Sequence, residues 1–435
     1  MEEFRRGGDL LNRPPHEANV AEQTEHSING GGLKFDYFSP NEKHRFNVFA
    51  SAQHINRDSY YGGGQDPNAY GNTTDLNWMA GSQYVYSFGK CIFMPADLTA
   101  GIEFNQDKLE DNMWGYHRTV DQKVNIGSAF FQNEWKNEHW GFLIGGRLDK
   151  HNLIDHVIFS PRANLRYNPT ENINLRFSYS SGFRAPQAFD EDLHVENVGG
   201  NVAMVELADN LKEERSQSLS VSADIYHRFG AFQVNFLVEG FYTKLSDVFA
   251  LTDGEIVDGI LTRTRYNAPG ARVMGLTLEG KMAYLTKFQL QAGITLQQSH
   301  YSEPHVWNKE APAVKKMMRT PNTYGYFTAT YTPIKPLSIA LSGTYTGSML
   351  VPHEPVPGFL EKPITVNTKD FFDIGLKAAY DFKLYKSMNL QVNAGVQNIF
   401  NAYQNDFDKG ADRDSGYIYG PSLPRSFFAG VKISY

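Results

Sequence analysis

MNLQVNAGVQNIFNAYQNDFDKGADRDSGYIYGPSLPRSFFAGVKISY, residues Met388 to Tyr435, is the stretch whose reading decides the fold. In its final part Phe427, Ala429, Val431, Ile433 and Tyr435 fall on one face, and Ser426, Gly430, Lys432 and Ser434 on the other. Strict alternation over about ten residues is the period-two signature of a strand with one apolar and one polar face. That apolar face needs a cover. Transmembrane barrels provide one by giving the face to lipid, and closing the sheet removes the open edge that a final strand otherwise presents.

Working outward, the same alternation recurs. Leu219, Val221, Ala223 and Ile225 oppose Ser218, Ser220, Ser222 and Asp224; Phe288, Leu290, Ala292 and Ile294 oppose Gln289, Gln291 and Gly293. Ile173, Leu175, Phe177 and Tyr179 oppose Asn174, Arg176, Ser178 and Ser180. A polar inner face makes a wet lumen, too wide for side chains to fill, whereas small barrels have filled cores.

Connections alternate too. Ser39 to Glu42, Gly89 to Ala96, Asn137–Glu138, Asn168 to Glu171, Arg228 to Ala231, Leu285–Thr286, Thr332 to Pro336 and Lys383 to Ser387 read as short. Between them stand DSYYGGGQDPNAYGNTTD (Asp58 to Asp75), Gln106 to Asp121, His151 to His156, Gly182 to Glu214, Ala250 to Leu261, Ser302 to Thr320, Gly347 to Lys369 and Ala402 to Pro424. An up-and-down meander with short turns at one end and long loops at the other gives this rhythm, while propellers and sandwiches mix in irregular crossovers. Seventeen strand patterns are counted, plus a fragment at Glu2 to Arg6. The expectation is all-β: a transmembrane antiparallel up-and-down β-barrel with its long loops extracellular.

The totals agree. Aromatics make up 14% of 435 residues, with 24 Tyr and 30 Phe, which suits the interfacial girdles of a barrel. A net charge of −7 and the lack of a basic cluster argue against a nucleic-acid surface. The single cysteine, Cys91, rules out an intrachain disulfide. No apolar run approaches the ~18 residues of a helical span, which leaves a β-barrel open. The opening MEEFRRGGDLLNRPPHEANVAEQTEH has neither an apolar h-region nor a small-residue cleavage site, so it does not read as a signal peptide.

Four stretches carry a resemblance to TonB-dependent outer-membrane receptors. Val396-Gln397-Asn398-Ile399-Phe400-Asn401, then a loop and a strand ending in Tyr435, looks like the C-terminal end of that family. Phe177 to Pro186 (FSYSSGFRAP) is similar to its mid-barrel strand-to-loop segment, and Asn210 to Ser216 (NLKEERS) resembles the segment opening the next strand, with Glu213 where proline is usual. Tyr266-Asn267 followed by Ala271 to Gly280 resembles a downstream strand. Gln187 to His194 looks like the version of its loop found in Bacteroidetes receptors. The family has plugged barrels of about 22 strands. Set against the seventeen counted here, the resemblance implies that about five lie upstream. Residues 1–435 would be the C-terminal part of the barrel, with the N-terminal plug and first strands missing. It also implies an outer-membrane receptor of a Gram-negative cell that binds a siderophore, haem, cobalamin or similar ligand at its outer loops. Import would then follow when TonB pulls on the plug. The expected partners are outer-membrane lipid, TonB through the missing plug, and a small nutrient chelate. The alternatives are a passive porin-like channel and a soluble repetitive β protein.

No catalytic constellation emerges: there is no G-x-S-x-G, H-E-x-x-H or P-loop, so no enzyme and no cofactor is expected. Gly62-Gly63-Gly64 has no following helix pattern. Asp190, Glu191, Asp192 and His194 form the densest acidic group, in the longest loop, and Arg184 stands where a strand enters that loop. Together they are the candidate ligand contacts. The plainer readings are a solvated acidic loop, or acidic side chains that hold divalent cations near lipopolysaccharide, with Arg184 pairing with that loop. His151 and His156 are weak metal candidates without a carboxylate pattern. Asp406, Asp408, Asp412 and Asp414 lack the glycine and terminal Glu of an EF-hand. Tyr60, Tyr61, Tyr70 and Tyr301 offer stacking faces, with loop packing as the default role.

Overall fold

The computed structural model describes residues 2–6, 12–186, 203–252, 255–257, 260–385, 387–409, 413–414, 416–421 and 423–435. In chain order its strands are β1 (Glu2–Arg6), β2 (Val20–Phe38), β3 (His44–Gly63), β4 (Tyr70–Cys91), β5 (Met94–Met113), β6 (Arg118–Lys136), β7 (Trp140–His151), β8 (Ile158–Thr170) and β9 (Ile173–Arg184). After β10 (Ala203–Leu207) come β11 (Glu214–Phe229), β12 (Phe232–Ser246), β13 (Val248–Leu251), β14 (Glu255–Val257), β15 (Ile260–Ala268), β16 (Ala271–Tyr284), β17 (Phe288–His305) and β18 (Val314–Lys316). The last are β19 (Thr323–Ile334), β20 (Leu337–Thr346), β21 (Leu350–His353), β22 (Ile364–Asn367), β23 (Phe371–Tyr385), β24 (Met388–Gln397) and β25 (Ser426–Ser434).

Nineteen of these form one antiparallel sheet, made of seventeen long strands with β1 and β18 as short additions. Between the end strands β2 and β25, each long strand pairs with the long strand before it and the one after it, so the topology is an up-and-down meander. Register keeps the faces apart. Leu219, Val221 and Ala223 stand opposite Tyr179, Phe177 and Leu175, while Ser218, Ser220 and Ser222 stand opposite Ser180, Ser178 and Arg176. A slip of one residue would turn every apolar side chain into the lumen, so the two-faced pattern itself selects this pairing. The outward row is exposed: Ile102, Phe131, Ile144 and Val431 are 63%, 56%, 63% and 67% accessible, as expected of a wall that meets lipid.

Rings gather at the ends of the apolar band. Trp140 stacks on Tyr167 at 4.2 Å and on Phe142 at 5.6 Å near the short turns. Trp78 lies 5.2 Å from Phe104 near the other end, and its indole N–H donates to Gln106 Oε1 at 3.2 Å. Amphipathic rings at the two margins of an apolar band form the girdles of a membrane barrel.

Two sheet edges are open. Among the described residues β25 pairs only with β24, and the edge of β2 away from β3 is paired only at Glu22 to His26, by β1. Ser27 to Phe38 of β2 are exposed on both faces.

The outer connections depart from expectation. Asp58 to Asp75 and Gln106 to Asp121 read as long polar loops, but the strands continue through them, leaving only 64–69 and 114–117 as turns. The cause is solvent: above the lipid both faces of a strand meet water, so polar residues on both faces are compatible with a ladder. β2 likewise starts at Val20 and not at Leu33. As a result β2 to β6 are 19–22 residues long, while β7 to β9 are only 12–13. A small core at the outer tip of this tall section holds Ala18, Ala21, Tyr60 and Ala69, with Tyr70 and Tyr116 packed against it.

Candidate functional site

At the outer end the β9–β11 and β12–β16 connections meet in a sheet of their own. β10 runs parallel to β15, and β13 and β14 pair with β15 antiparallel. Asn267 ties this sheet to the base of β11. Its Oδ1 accepts the Lys212 N–H at 2.8 Å, while its Nδ2 donates to the carbonyls of Lys212 at 3.1 Å and Asp247 at 2.8 Å. The Asn210-to-Ser216 and Tyr266–Asn267 stretches, distant in sequence, are therefore one structural unit. Tyr266–Asn267 belongs to this outer sheet, and the wall strand begins afresh at Ala271.

Arg184 is the last residue of β9 and stands across from Glu214. Its guanidinium lies 5.5 Å from the centre of the Phe249 ring, and that of Arg265 lies 5.9 Å from the same ring. Phe249 is held in place by its N–H, which donates to Glu214 Oε2 at 3.0 Å. Arg265 is 5% exposed; burial, then the charge of Arg184, pull its pKa down. Beside this group the nearly buried Glu213 carboxylate meets Arg215 at 2.6 Å and His156 at 3.1 Å. Two cations around an aromatic face are suited to a flat or anionic ligand, which they would hold by stacking and charge-assisted hydrogen bonds.

Of the residues expected at a ligand site, the structure places Arg184 in this cluster. Asp190, Glu191, Asp192 and His194, with the rest of the Gln187-to-His194 stretch, lie outside the described residues. His151 and His156 do not converge. His156 serves Glu213, while His151 is buried and accepts the Leu153 N–H on Nδ1 at 3.0 Å. Among the described residues no group of three or more His, Cys, Asp or Glu is placed to hold a metal ion. The aspartates of the last loop are used internally. Asp406 accepts the Tyr419 hydroxyl at 2.5 Å, Asp408 pairs with His353 at 2.8 Å, and Asp414 accepts the N–H groups of Glu354 and Gly416; Asp412 lies outside the described residues. Tyr60 and Tyr61 are buried loop-packing residues, and Tyr301 packs on His305 at 4.8 Å. Gly62 and Gly63 are strand residues, and Gly64 takes φ +64° in the turn that follows. Sequence reading missed Phe249 and Arg265, and took Asn267 only as part of a downstream strand. The alternation Arg263-Thr264-Arg265 was the available signal, a short stretch with a basic face just after the supposed Ala250-to-Leu261 loop.

Comparison with known proteins gives the fold a family. The family model described as TonB dependent receptor-like, beta-barrel, matches residues 6–399. No curated protein matches the sequence. Similar solved structures include the siderophore receptor PirA from Acinetobacter baumannii, with TM-score 0.69 and 14% identity, covering 95% of this chain and 62% of that one. The ferric enterobactin receptor PfeA from Pseudomonas aeruginosa gives TM-score 0.69 at 17% identity, with coverage of 95% and 62%. The ferric-catecholate import receptor Fiu from E. coli gives 0.68 at 13%, with 95% and 64%. The chain thus spans less than two thirds of the length of these structures. Its apolar wall is that of an outer-membrane protein, and the chain belongs to the TonB-dependent receptor-like β-barrel family.

Proposed function

We propose that this chain is the C-terminal barrel portion of a receptor that binds a scarce nutrient chelate outside the cell and imports it in a TonB-dependent manner. The carrying observation is the pair of open edges on β2 and β25, in a sheet whose other long strands are all paired on both sides. Unpaired backbone N–H and C=O groups at membrane depth cost several kcal/mol each, so a spanning sheet requires partners there. About five further strands and a plug would supply those partners and account for the rest of the length of the similar structures. Those structures include PfeA in complex with enterobactin, an observation about that protein that motivates a chelate ligand here. Siderophore-iron, haem and cobalamin all fit the same reading. In this reading Arg184 and, further along the sequence, Asp190, Glu191, Asp192 and His194 contact the ligand. The protein recognises and gates; it makes no bonds.

The first measurement is the intact mass of the native polypeptide in an outer-membrane fraction, set against 49.1 kDa. The expected species is larger by several tens of kilodaltons and nearly silent in planar bilayers. A stable, membrane-embedded species of 49.1 kDa with open-channel conductance would overturn the receptor reading and favour a passive channel.

A further inference from the structure

The hairpin between β4 and β5 turns through Ile92 and Phe93, with Cys91 opposite Met94. The other seven short turns of the wall each contain Asn, Glu, Lys, Ser or Gly, the residues water and tight turns favour. This turn contains none of them. Ile92 is 81% exposed and Phe93 54%. Ile92 also takes φ +61°, a left-handed conformation that is a real outlier for a β-branched residue, and the Phe93 N–H closes the turn onto the Cys91 carbonyl at 2.8 Å. The strain has a visible result. Phe93 lies flat against Trp135, with centroids 5.6 Å apart and planes 17° apart, and meets Phe142 edge-on at 6.1 Å. The Trp135 indole N–H donates to the Cys91 carbonyl at 3.0 Å, so the same ring fixes the turn from a second side. Trp135 stands across from Ala96 and Phe142, in the outward row that continues into Ile144 and Phe131.

We propose that the Cys91–Met94 turn is a membrane-dipping element, folded back on the outer wall so that Ile92 and Phe93 enter the periplasmic leaflet of the outer membrane. The occupant of this surface is lipid, because the turn is continuous with the lipid-facing wall through Phe93, Trp135 and Phe142. Water would leave an isoleucine and a phenylalanine side by side at a strained apex with no return. A leaflet interface receives both, and the amphipathic Trp135 sits at the depth where indoles collect. The other short turns then project into the periplasm while this one pins the wall at its level.

Site-directed spin labelling of the native polypeptide in phosphatidylethanolamine–phosphatidylglycerol vesicles tests this. Cys91→Ser removes the only thiol of these 435 residues and leaves the backbone carbonyl that Trp135 uses. Nitroxides are then placed at Ile92→Cys, at Phe93→Cys, at Ile144→Cys on the wall and at Glu138→Cys in a polar turn. The expected result is an oxygen-to-nickel-chelate collision ratio at residues 92 and 93 close to that at 144 and about tenfold above that at 138, since the polar chelate is excluded from lipid. A ratio equal to that at 138 overturns the proposal by placing the turn in water. Protection from both reagents overturns it by placing the turn against protein. The double variant I92N/F93G, which installs a turn compatible with φ > 0, is expected to keep its heat-modifiable folded form but insert into vesicles several-fold more slowly. Unchanged insertion would also sink the idea.

Discussion

The ring of Phe428 lies over Gly395, its direct neighbour across the β24–β25 ladder. Any Cβ at position 395 would fall inside that ring and against the Leu376 carbonyl. Both residues have the lumen-facing parity, since Phe427 and Val396 form the outward pair beside them. The same arrangement recurs with Phe49 on Gly81, Phe130 on Gly101, Phe241 on Gly275 and Tyr326 on Gly293. Each aromatic covers a backbone that has no side chain of its own, and so fixes the register of one strand pair. Gly395→Ala is expected to destabilise the last hairpin by about 1–3 kcal/mol through overpacking. A lower urea midpoint at unchanged slope would show it; an unchanged midpoint would remove the register role.

Glu213 should make the base of the longest outer loop sensitive to acid. Burial works against its charge, but the hydrogen bonds and charge of Arg215, its own backbone and His156 outweigh burial and hold its pKa below the ordinary 4.5. A carboxylate depressed in this way stabilises the fold above its unfolded pKa and loses that contribution as pH falls through the folded one. Limited proteolysis between β9 and β11 should therefore accelerate only below about pH 4.5. Glu213→Gln should raise cleavage at neutral pH and flatten the profile. A wild-type profile in that variant would count against the role.

Alkali should act at a different place. Tyr60 is 1% exposed, its hydroxyl donates to the Asp66 carbonyl at 2.9 Å, and burial, then the charges of Asp66 and Tyr70, raise its pKa to about 12. A raised pKa means that the stabilisation is complete below the unfolded value near 10 and disappears as pH rises through about 12. Ultraviolet titration of tyrosinate should show a late-ionising contribution in that window that is lost in Tyr60→Phe, beside those of the other raised tyrosines such as Tyr116 and Tyr301. Its persistence in the variant would assign it elsewhere.

Arg319 joins two outer loops, donating to the carbonyls of Ile418 and Gly416 at 2.6 Å each. Charge-assisted hydrogen bonds of this kind contribute about 1.5–3 kcal/mol. Arg319→Ala should free the final loop, seen as faster amide exchange at 416–421 with little change in the wall strands. Exchange that stays slow would mean that the other contacts suffice: Gln404, whose Nε2 donates to the Tyr417 carbonyl and whose Oε1 accepts the Tyr419 N–H, and Asp406 on the Tyr419 hydroxyl.

The wall was legible because a lipid-facing strand has only one pattern available to it. Ser218 to Ile225 and Phe427 to Tyr435 show that pattern without ambiguity, and all seventeen long strands follow from it. Above the membrane the pattern dissolves. Thr73, Arg57 and Arg118 converge on the buried Asp111 and hold β3, β4, β5 and β6 together well past the apolar band. Hydropathy sees four polar residues there, while the ladder sees a cross-strand charge network. The candidate site was legible at Arg184 alone, because a motif at a strand end can be read locally. Phe249 and Arg265 reach it through the β13–β15 sheet, and that long-range pairing leaves only the faint trace of Arg263 and Arg265 in the sequence.

The difference in strand length between β2–β6 and β7–β9 has a mechanical consequence. On one side the rim is a stiff, continuously hydrogen-bonded palisade about 20 Å taller than its neighbour, given ~3.3 Å per residue and a tilt near 40°. On the other side the rim is low, and the height is made up by separate loop bodies: the β10–β15 sheet, the β21–β22 hairpin and the knot around Arg319 and Tyr417. Any closing movement over the mouth must come from that low side. In any such movement the palisade would be the fixed jaw.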